Sequence, residues 1–483
     1  MDTIKISDME KNITLRDFQL EGVERIKYNE DIFKCGSVLA FEMGLGKTLT
    51  FASFLVQRRE EENPSYPDLV IVPLCVLTQW KNEIHRINNN WRVFIYHGPK
   101  RVTQFKKNTG VDFVIATYHS LVTRELECNE WNRIVLDEAH NIRNGIETIY
   151  KTVPKRAIGA FALRTKSKFC HCITGTPFNN SKNDLLSLMK FVGYDGEDDV
   201  KFIENFVIQK TKDDLMEKIN INTIFIDSPK EGIKDYKDMH KLYIRLSNVL
   251  KKKVNIIEAR EVYKKAMKLM SKLRLFCDIM QMDTTKTVAY EIEKDEEDED
   301  DEENYEYEEV EFSHGEKVLF HESSIKIRTV YENLIEQLPK VPYKRIIVFS
   351  SFVTTLKVLQ AIVNEKNPDI LTFQYTGKQN RKERDDIISC FTDENEIKPI
   401  VLFASLGAGS CGLNLVPCST VFLVDVSMNP FDELQAINRV HRITQKNKVN
   451  VYKFCMKNMI EENILKSHSR KIDEAKSKGI LLV

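Results

Sequence analysis

The sequence lacks the marks of a membrane protein, a secreted protein or a zinc-scaffolded protein. Its longest apolar stretches, near residues 69–77 and 400–406, are much shorter than the ~18 residues that a membrane helix needs. Residues 1–12 are polar and do not resemble a secretory signal. The ten cysteines include no Cys-x-x-Cys pair, which argues against a zinc framework and for reduced thiols. We therefore expect an intracellular protein without a membrane segment or zinc.

The net charge of −1 conceals an uneven distribution along the chain. Residues 291–311 contain fifteen carboxylates against one lysine, which leaves 57 acidic and 70 basic residues elsewhere. A basic body favours a polyanionic partner, although a soluble surface explains the same excess. The acidic run is typical of a solvated, self-repelling segment.

Short apolar runs alternate with longer amphipathic stretches, which predicts an α/β fold with parallel sheets. The predicted strands are 37–41, 68–73, 92–96, 112–117, 133–137, 171–174, 345–350, 371–375, 400–404, 421–426 and 449–454. Between about residues 194 and 280 the strand pattern stops, and residues 235–277 predict helices. We expect two α/β lobes separated by a helical and disordered insertion.

The strongest local motif is Gly44-Leu45-Gly46-Lys47-Thr48, between a predicted strand and a predicted helix. Glycines there let backbone N–H groups surround a phosphate, while Lys47 reaches its outer oxygens and Thr48 ligates Mg²⁺. The longer form of the phosphate-loop pattern requires glycine at position 41, where this sequence has Phe41. Only the shorter core of the pattern therefore matches. Leu49 stands where a dinucleotide-binding loop has its third glycine, which excludes that class.

A second motif, Asp137-Glu138-Ala139-His140, directly follows a predicted strand. Carboxylates at a strand end are often capping or surface features, but this pair lies about ninety residues after a phosphate loop. Phosphoanhydride hydrolysis needs one carboxylate for Mg²⁺ and another to polarise water. We assign these tasks to Asp137 and Glu138, and only a coupling role to His140.

Together these segments resemble motifs I, II and III of the Swi/Snf-type ATPases, a family within the superfamily-two helicases. The matching segments are 41–48, 137–144 and 174–180. Residues 15–22 resemble the segment of that family that recognises adenine, with Gln19 as the base reader. The resemblance implies ATP as cofactor with Mg²⁺, held by Thr48 and Asp137. The nucleotide-binding residues that it implies are Gln19, Gly44, Leu45, Gly46, Lys47, Thr48 and Gln435.

The resemblance continues through the second lobe as far as Leu465. Residues 435–445 resemble motif VI, in which Gln435, Arg439 and Arg442 are spaced to share one face of a helix. Such arginines stabilise charge on a transferring γ-phosphate. The catalytic residues implied are Lys47, Asp137, Glu138, Arg439 and Arg442. The nucleic-acid-binding or coupling residues implied are Pro73, Thr117, Thr174, Thr176, Ser350, Ser405, Gly412 and Asn414.

The family places a helical protrusion and tolerates insertions between its two RecA-like lobes. The expected domains are lobe 1 at 1–195, a protrusion at 196–285, an acidic disordered linker at 286–318 and lobe 2 at 319–483. Segments 209–212 and 273–275 lie where the family has basic signatures. For the acidic run, a disordered loop is the simpler interpretation, and the alternative is an autoinhibitor of DNA binding or a contact for basic proteins.

The resemblance implies a compact double-stranded DNA translocase that hydrolyses ATP between its lobes and remodels protein–DNA complexes or DNA structure. A nucleosome, or transcription or replication proteins, would then be reached through a targeting partner. The expected location is the nucleus in a eukaryote, or the virion or infected cell for a large DNA virus. Two alternatives stay open: a helicase that separates DNA or RNA strands, and a scaffold that does not hydrolyse ATP.

Overall fold

The structure is a computed structural model that describes residues 14–477, except 108–109, 143–152, 176–181, 197, 213–218, 230–232, 251–255, 280–323, 410–414 and 443. The chain divides into two compact units. Unit 1 comprises residues 1–147, 152–214 and 472–483, and unit 2 comprises 148–151 and 215–471. Unit 1 therefore extends past residue 195, where the sequence pattern ends the first lobe. The predicted acidic linker lies outside the described residues.

Unit 1 is built on a fully parallel seven-stranded sheet. Its strands are β1 (Val38–Phe41), β2 (Asp68–Val72), β3 (Val93–Tyr96), β4 (Phe113–Thr117), β5 (Trp131–Asp137), β6 (Ser167–Ile173) and β7 (Val207–Lys210). They lie in the order β3-β4-β2-β5-β6-β1-β7. The helices are α1 (Asp17–Tyr28), α2 (Lys47–Glu62), α3 (Leu77–Ile87), α4 (Arg101–Lys107), α5 (His119–Val122), α6 (Lys155–Arg164), α7 (Lys182–Val192) and α8 (Asp199–Phe206).

Unit 2 contains a second parallel sheet, of six strands. These are β8 (Asn220–Ile226), β9 (Arg345–Ser350), β10 (Leu371–Tyr375), β11 (Ile400–Ser405), β12 (Thr420–Leu423) and β13 (Asn450–Met456), in the order β10-β11-β9-β12-β13-β8. The helices are α9 (Lys234–Leu250), α10 (Ile256–Asp278), α11 (Ile325–Gln337), α12 (Val353–Lys366), α13 (Arg381–Thr392), α14 (Leu406–Gly409), α15 (Pro430–Ile437) and α16 (Ile460–Ser477). The predicted α/β class with two parallel-sheet lobes is confirmed.

All eleven predicted strands are confirmed, and their bounds differ only at the ends. Most are continuous apolar runs buried on both faces, as parallel strands covered by helices must be. The prediction that residues 194–280 contain no strand is wrong, because β7 and β8 lie there. Both are edge strands with one hydrogen-bonded neighbour, so their sequences need not be uniformly apolar.

A buried charge network ties β5, β6 and the residue before β1 to the short helical turn Asn29–Phe33, which follows α1. The Arg133 guanidinium donates two hydrogen bonds of 2.7 Å to the Glu30 carboxylate. The ring of His171 accepts from the backbone N–H of Ser37 at Nδ1, so its Nε2 carries the proton and donates to Glu30 at 2.9 Å. Burial alone would raise the pKa of Glu30, but the bonds from Arg133 and His171 lower it to about 2.

Unit 2 has a comparable buried charge network at the C-terminal end of α10. Lys326 Nζ lies 2.8 Å from Asp278 Oδ1 and 2.6 Å from Glu461 Oε1, and all three side chains are fully buried. The Ser324 hydroxyl donates to the backbone oxygen of Asp278. The end of α10 and the start of α11 are therefore held together by buried polar bonds.

We predict that Arg133→Leu destabilises unit 1 severely. The substitution leaves the Glu30 carboxylate buried without its main cation, and breaking a buried ion pair costs ~3–5 kcal/mol. The midpoint of thermal unfolding tests this. Arg124→Leu is the matched control, because Arg124 pairs with Glu127 on the surface and its loss is expected to change little. Equal midpoints for the two variants would contradict the role given to the network.

Candidate functional site: a phosphate loop and the carboxyl edge of the first sheet

The loop from Gly44 to Gly46 connects β1 to α2, which confirms the strand–loop–helix context. Gly44 and Gly46 have φ angles of +88° and +79°, a conformation that favours glycine. Helix α2 begins at Lys47, so its unpaired N–H groups face the loop. Lys47 is buried, and its Nζ donates a 3.1 Å hydrogen bond to the backbone oxygen of Phe41. This arrangement is suited to binding a phosphate group.

Gln19 packs directly against this loop. Its Nε2 donates to the backbone oxygen of Leu45 at 3.2 Å, and its Oε1 accepts from the backbone N–H of Arg16 at 2.9 Å. A Cβ on Gly46 would lie 2.5 Å from Gln19 Nε2. The structure therefore brings together the two segments that the sequence analysis relates to one nucleotide.

Asp137 ends β5, two strands away from β1 in the sheet. Its Oδ2 accepts a 2.7 Å hydrogen bond from the indole N–H of Trp80, and its Oδ1 accepts from the backbone N–H of Glu138 at 3.0 Å. Burial, and then the charge of Glu138, raise the pKa of Asp137 to about 6, while Trp80 and the charge of Lys47 oppose this. Lys47 and the carboxylate pair thus belong to one electrostatic site.

Glu138 has a left-handed backbone, with φ of +53°. The hydroxyl of Tyr118 donates to the backbone oxygen of Asp137 at 2.7 Å and is 3.3 Å from that of Glu138, which also accepts from Asn141 at 3.0 Å. Its Oε2 lies 3.4 Å from His140 Nδ1. A strained backbone conformation held by several bonds is a feature of functional sites.

Strand β6 lies between β5 and β1 and adds a third segment to this edge. Thr174 follows it, is buried, and donates its backbone N–H to Leu39 at 3.1 Å. A Cβ on Gly175 would lie 3.4 Å from Lys47 Nζ. The first two residues of motif III, Thr174 and Gly175, therefore lie beside motifs I and II, whereas Thr176 and the rest of that motif lie outside the described residues.

Pro73 and Thr117, the other predicted nucleic-acid contacts of unit 1, lie at the same edge. They follow and end two adjacent strands, β2 and β4. Because parallel strands end on the same side of a sheet, both residues share that side with the phosphate loop. Thr117 is buried, whereas Pro73 is partly exposed.

The prediction that Gln435, Arg439 and Arg442 share one face of a helix in unit 2 is wrong. Helix α15 ends at Ile437, so only Gln435 lies on it. Beyond it the chain tightens, because the N–H groups of Arg439 and Val440 bond to oxygens three residues back rather than four. The backbone oxygen of Arg439 also accepts from Leu415 at 3.2 Å, which holds the turn away from a regular helix.

The two arginines nevertheless remain close together in this turn. Burial, and then the positive charge of Arg439, lower the pKa of Arg442 to about 10. Arg439 is itself 4% exposed, and its Nε has no hydrogen-bond partner among the described residues. Two neighbouring guanidinium groups with a buried N–H to satisfy are suited to binding an anion.

Two known protein-family domains match this chain. Residues 18–285 match the SNF2-related domain, and residues 326–444 match the helicase conserved C-terminal domain. The first match alone covers more than half of the chain. The chain belongs to the SNF2-related family.

Similar proteins include ISW2 of Saccharomyces cerevisiae, an ISWI chromatin-remodeling complex ATPase, which is 27% identical over 96% of this chain and 40% of its own length. An uncharacterised ATP-dependent helicase of Mycoplasma genitalium is 27% identical over 95% of this chain and 41% of its own length. The SNF2-related chain thus spans about 40% of these relatives. The SWI2/SNF2 ATPase core of Sulfolobus solfataricus in complex with dsDNA is 23% identical, over 99% of this chain and 96% of that chain, with a TM-score of 0.41.

Three residues of the SNF2-related chain have contacts that the sequence analysis missed. Trp80 donates to the Asp137 carboxylate, and Tyr118 donates to the backbone oxygen of Asp137. In unit 2, Arg274 on α10 donates to Asp425 at 2.8 Å and to Ser351 at 2.7 Å. No local signal marks these contacts, because the partners are far apart in sequence.

Of the four predicted nucleic-acid contacts in unit 2, the structure describes two, Ser350 and Ser405. Ser350 is fully buried and donates to Asp425 at 2.5 Å, so its hydroxyl is bonded within the protein. Ser405 is also buried and accepts from the backbone N–H of Ala408 at 3.3 Å. Gly412 and Asn414 lie outside the described residues.

Within the described part of the chain, none of the helices has the length and apolarity required to cross a lipid bilayer. The same residues contain no cluster of three or more His, Cys, Asp or Glu side chains with the geometry of a metal site.

We predict that Gly46→Ala disturbs the phosphate loop more than its backbone strain explains. The added Cβ collides with Gln19 Nε2 at 2.5 Å and breaks the bond to Leu45. Gly98→Ala is the matched control, because Gly98 has φ of +88° and nothing within 4 Å of a Cβ. We expect thermal unfolding to show a further loss of about 1 kcal/mol for Gly46→Ala, the value of one hydrogen bond. Equal losses would mean that Gln19 does not brace the loop.

Proposed function

We propose that this SNF2-related chain is an ATP-dependent translocase on double-stranded DNA, and that its steps remodel protein–DNA complexes or DNA structure. The observation that carries the proposal is the meeting of the phosphate loop, Lys47 and the Asp137–Glu138 pair at one edge of a parallel sheet. The family of the chain, and the ATP-dependent relatives that it resembles, support ATP as the nucleotide.

In this proposal each residue of unit 1 has one task. Lys47 leaves the backbone oxygen of Phe41 to bind the outer phosphates, and the N–H groups around Gly44 and Gly46 surround them. Gln19, already fixed beside the loop, reads the adenine. Glu138 orients the attacking water and accepts its proton, a role that its strained backbone supports.

The residues present fit a magnesium ion. Mg²⁺ prefers oxygen ligands and is usually held by one or two carboxylates together with substrate phosphates rather than by a protein cage. Asp137 offers a buried carboxylate that Trp80 orients, and Thr48 offers a hydroxyl at the start of α2. When bound, the ion would neutralise charge on the phosphates during their transfer.

We propose that Arg439 and Arg442 stabilise the charge that develops on the γ-phosphate, with Gln435 beside them. The buried Nε of Arg439, which has no acceptor within the described part of the chain, supports this role, because an anion would supply one. Removing such an arginine costs ~10³-fold or more in rate in other phosphoryl-transfer enzymes.

DNA would be held through its phosphate backbone, without sequence recognition. The contacts we propose are Pro73, Thr117, Thr174, Thr176, Ser405, Gly412 and Asn414. For Ser350 we propose an indirect role, since its buried hydroxyl bonds to Asp425 and shapes the end of β9. We also propose a nucleosome, or transcription or replication proteins, as partners that the chain reaches through a targeting protein. The proposed location is the compartment that holds the DNA.

The proposal predicts that duplex DNA stimulates ATP hydrolysis by the purified chain. Steady-state rates would be measured without nucleic acid and with single-stranded DNA, double-stranded DNA or RNA. Glu138→Gln is the control, and we expect it to lower the rate by ~10²–10⁴-fold, the usual contribution of a general base. Preferential stimulation by single strands or RNA would favour a strand-separating helicase. Absence of hydrolysis under every condition would favour a scaffold.

A second prediction concerns Trp80. Trp80→Phe keeps the aromatic packing but removes the donor to Asp137, a bond to a charged group that is worth ~1.5–3 kcal/mol. We expect the Mg²⁺ concentration for half-maximal hydrolysis to rise roughly tenfold. Trp91→Phe is the control, because the indole N–H of Trp91 has no hydrogen-bond partner among the described residues. An unchanged Mg²⁺ requirement would show that Trp80 does not position the metal ligand.

A further inference from the structure

The last strand of unit 1 is attached to the beginning of the phosphate loop. Strand β7 pairs in parallel with β1, with Lys210 opposite Phe41. The ladder continues one step further, because the backbone N–H of Glu42 donates to the oxygen of Lys210 at 2.8 Å. Lys212 then turns back, and its own N–H donates to Glu42 Oε2 at 2.7 Å.

The side chains of the same two residues form a buried ion pair. Lys212 Nζ lies 3.2 Å from Glu42 Oε1, and the side chains are 2% and 7% exposed. A buried charge that loses its partner is strongly destabilising, so the pair resists separation. Glu42 immediately follows Phe41, whose backbone oxygen holds Lys47. Lys212 is therefore joined through Glu42 to the beginning of the phosphate loop.

Lys212 also stands where the chain leaves unit 1. The division between the units falls after residue 214, and the next strand, β8, belongs to the sheet of unit 2. The covalent connection to unit 2 therefore starts beside a residue that is ion-paired to the phosphate loop.

We propose that Glu42 and Lys212 are positioning residues that couple nucleotide binding at the phosphate loop to the connection with unit 2. The inference rests on the proposed function, because it needs nucleotide at the loop. When phosphates draw Lys47 away from the Phe41 oxygen, the neighbouring Glu42 shifts, and Lys212 carries the shift to the end of β7. The same pair lets a change at the connection act back on the loop, since coupling between two sites is reciprocal.

The first test is hydrogen exchange of backbone amides with and without Mg²⁺–ADP. In the wild type we expect ADP to slow exchange both at residues 44–48 and at residues 207–212. In Lys212→Met we expect the protection at 44–48 to remain and that at β7 to be lost. Lys210→Met is the matched control: it removes a charge from the same strand, but among the described residues Lys210 forms no ion pair with Glu42.

The second test is the ratio of hydrolysis rates with and without duplex DNA. We expect Lys212→Met to lower this ratio roughly fivefold or more, the lower end of ordinary coupling between sites, with the DNA-free rate changed less. Lys212→Arg keeps the charge and should retain the ratio. If Lys212→Met does not fold, the double variant Glu42→Gln/Lys212→Met removes both buried charges and leaves neither unpaired.

The outcomes separate this inference from the function on which it rests. ADP protection of residues 44–48 without any effect on β7 in the wild type would overturn the coupling and leave nucleotide binding intact. Equal loss of the DNA effect in Lys210→Met and Lys212→Met would also overturn it. No protection of residues 44–48 in the wild type would overturn the proposed function and the coupling together.

Discussion

The order of four adjacent strands, β5-β6-β1-β7, is the constraint on which the rest of unit 1 depends. In a parallel sheet every strand ends at the same edge, so this order places the residues after β1, β5 and β6 side by side. The phosphate loop, the Asp137–Glu138 pair and Thr174 are consequently neighbours although they are far apart in the sequence. The site is a result of topology, and its side chains then refine it.

Buried charges hold this order in place. Arg133 on β5 and His171 on β6 both bond to Glu30, while the N–H of Ser37, just before β1, bonds to His171. A shift of one strand against another would leave a charge or a donor unsatisfied in the core, at a cost of several kcal/mol. Unit 2 uses the same device, since Lys326 joins the end of α10 to the start of α16 through Asp278 and Glu461.

Much of the fold and the site could be predicted because the relevant signals are local. The central strands are short runs such as Leu69–Val72 whose residues are all apolar, and the phosphate loop and Asp137 follow such runs directly. The edge strands β7 and β8 were missed because one-sided pairing permits polar residues. The end of α15 at Ile437 was missed because the chain after it bonds to Leu415, a contact between segments that periodicity does not reveal. The supporting roles of Trp80, Tyr118 and Lys212 depend on contacts between segments, which periodicity does not reveal.

The central claim is that hydrolysis at this edge moves the chain along an intact duplex. The most direct measurement is displacement of a third strand from a DNA triplex, followed over time with ATP and duplex flanks of increasing length. The account predicts displacement that requires ATP, shows a lag that grows with flank length, and is lost in Glu138→Gln. ATP hydrolysis without displacement, or displacement only when the two duplex strands also separate, would contradict it.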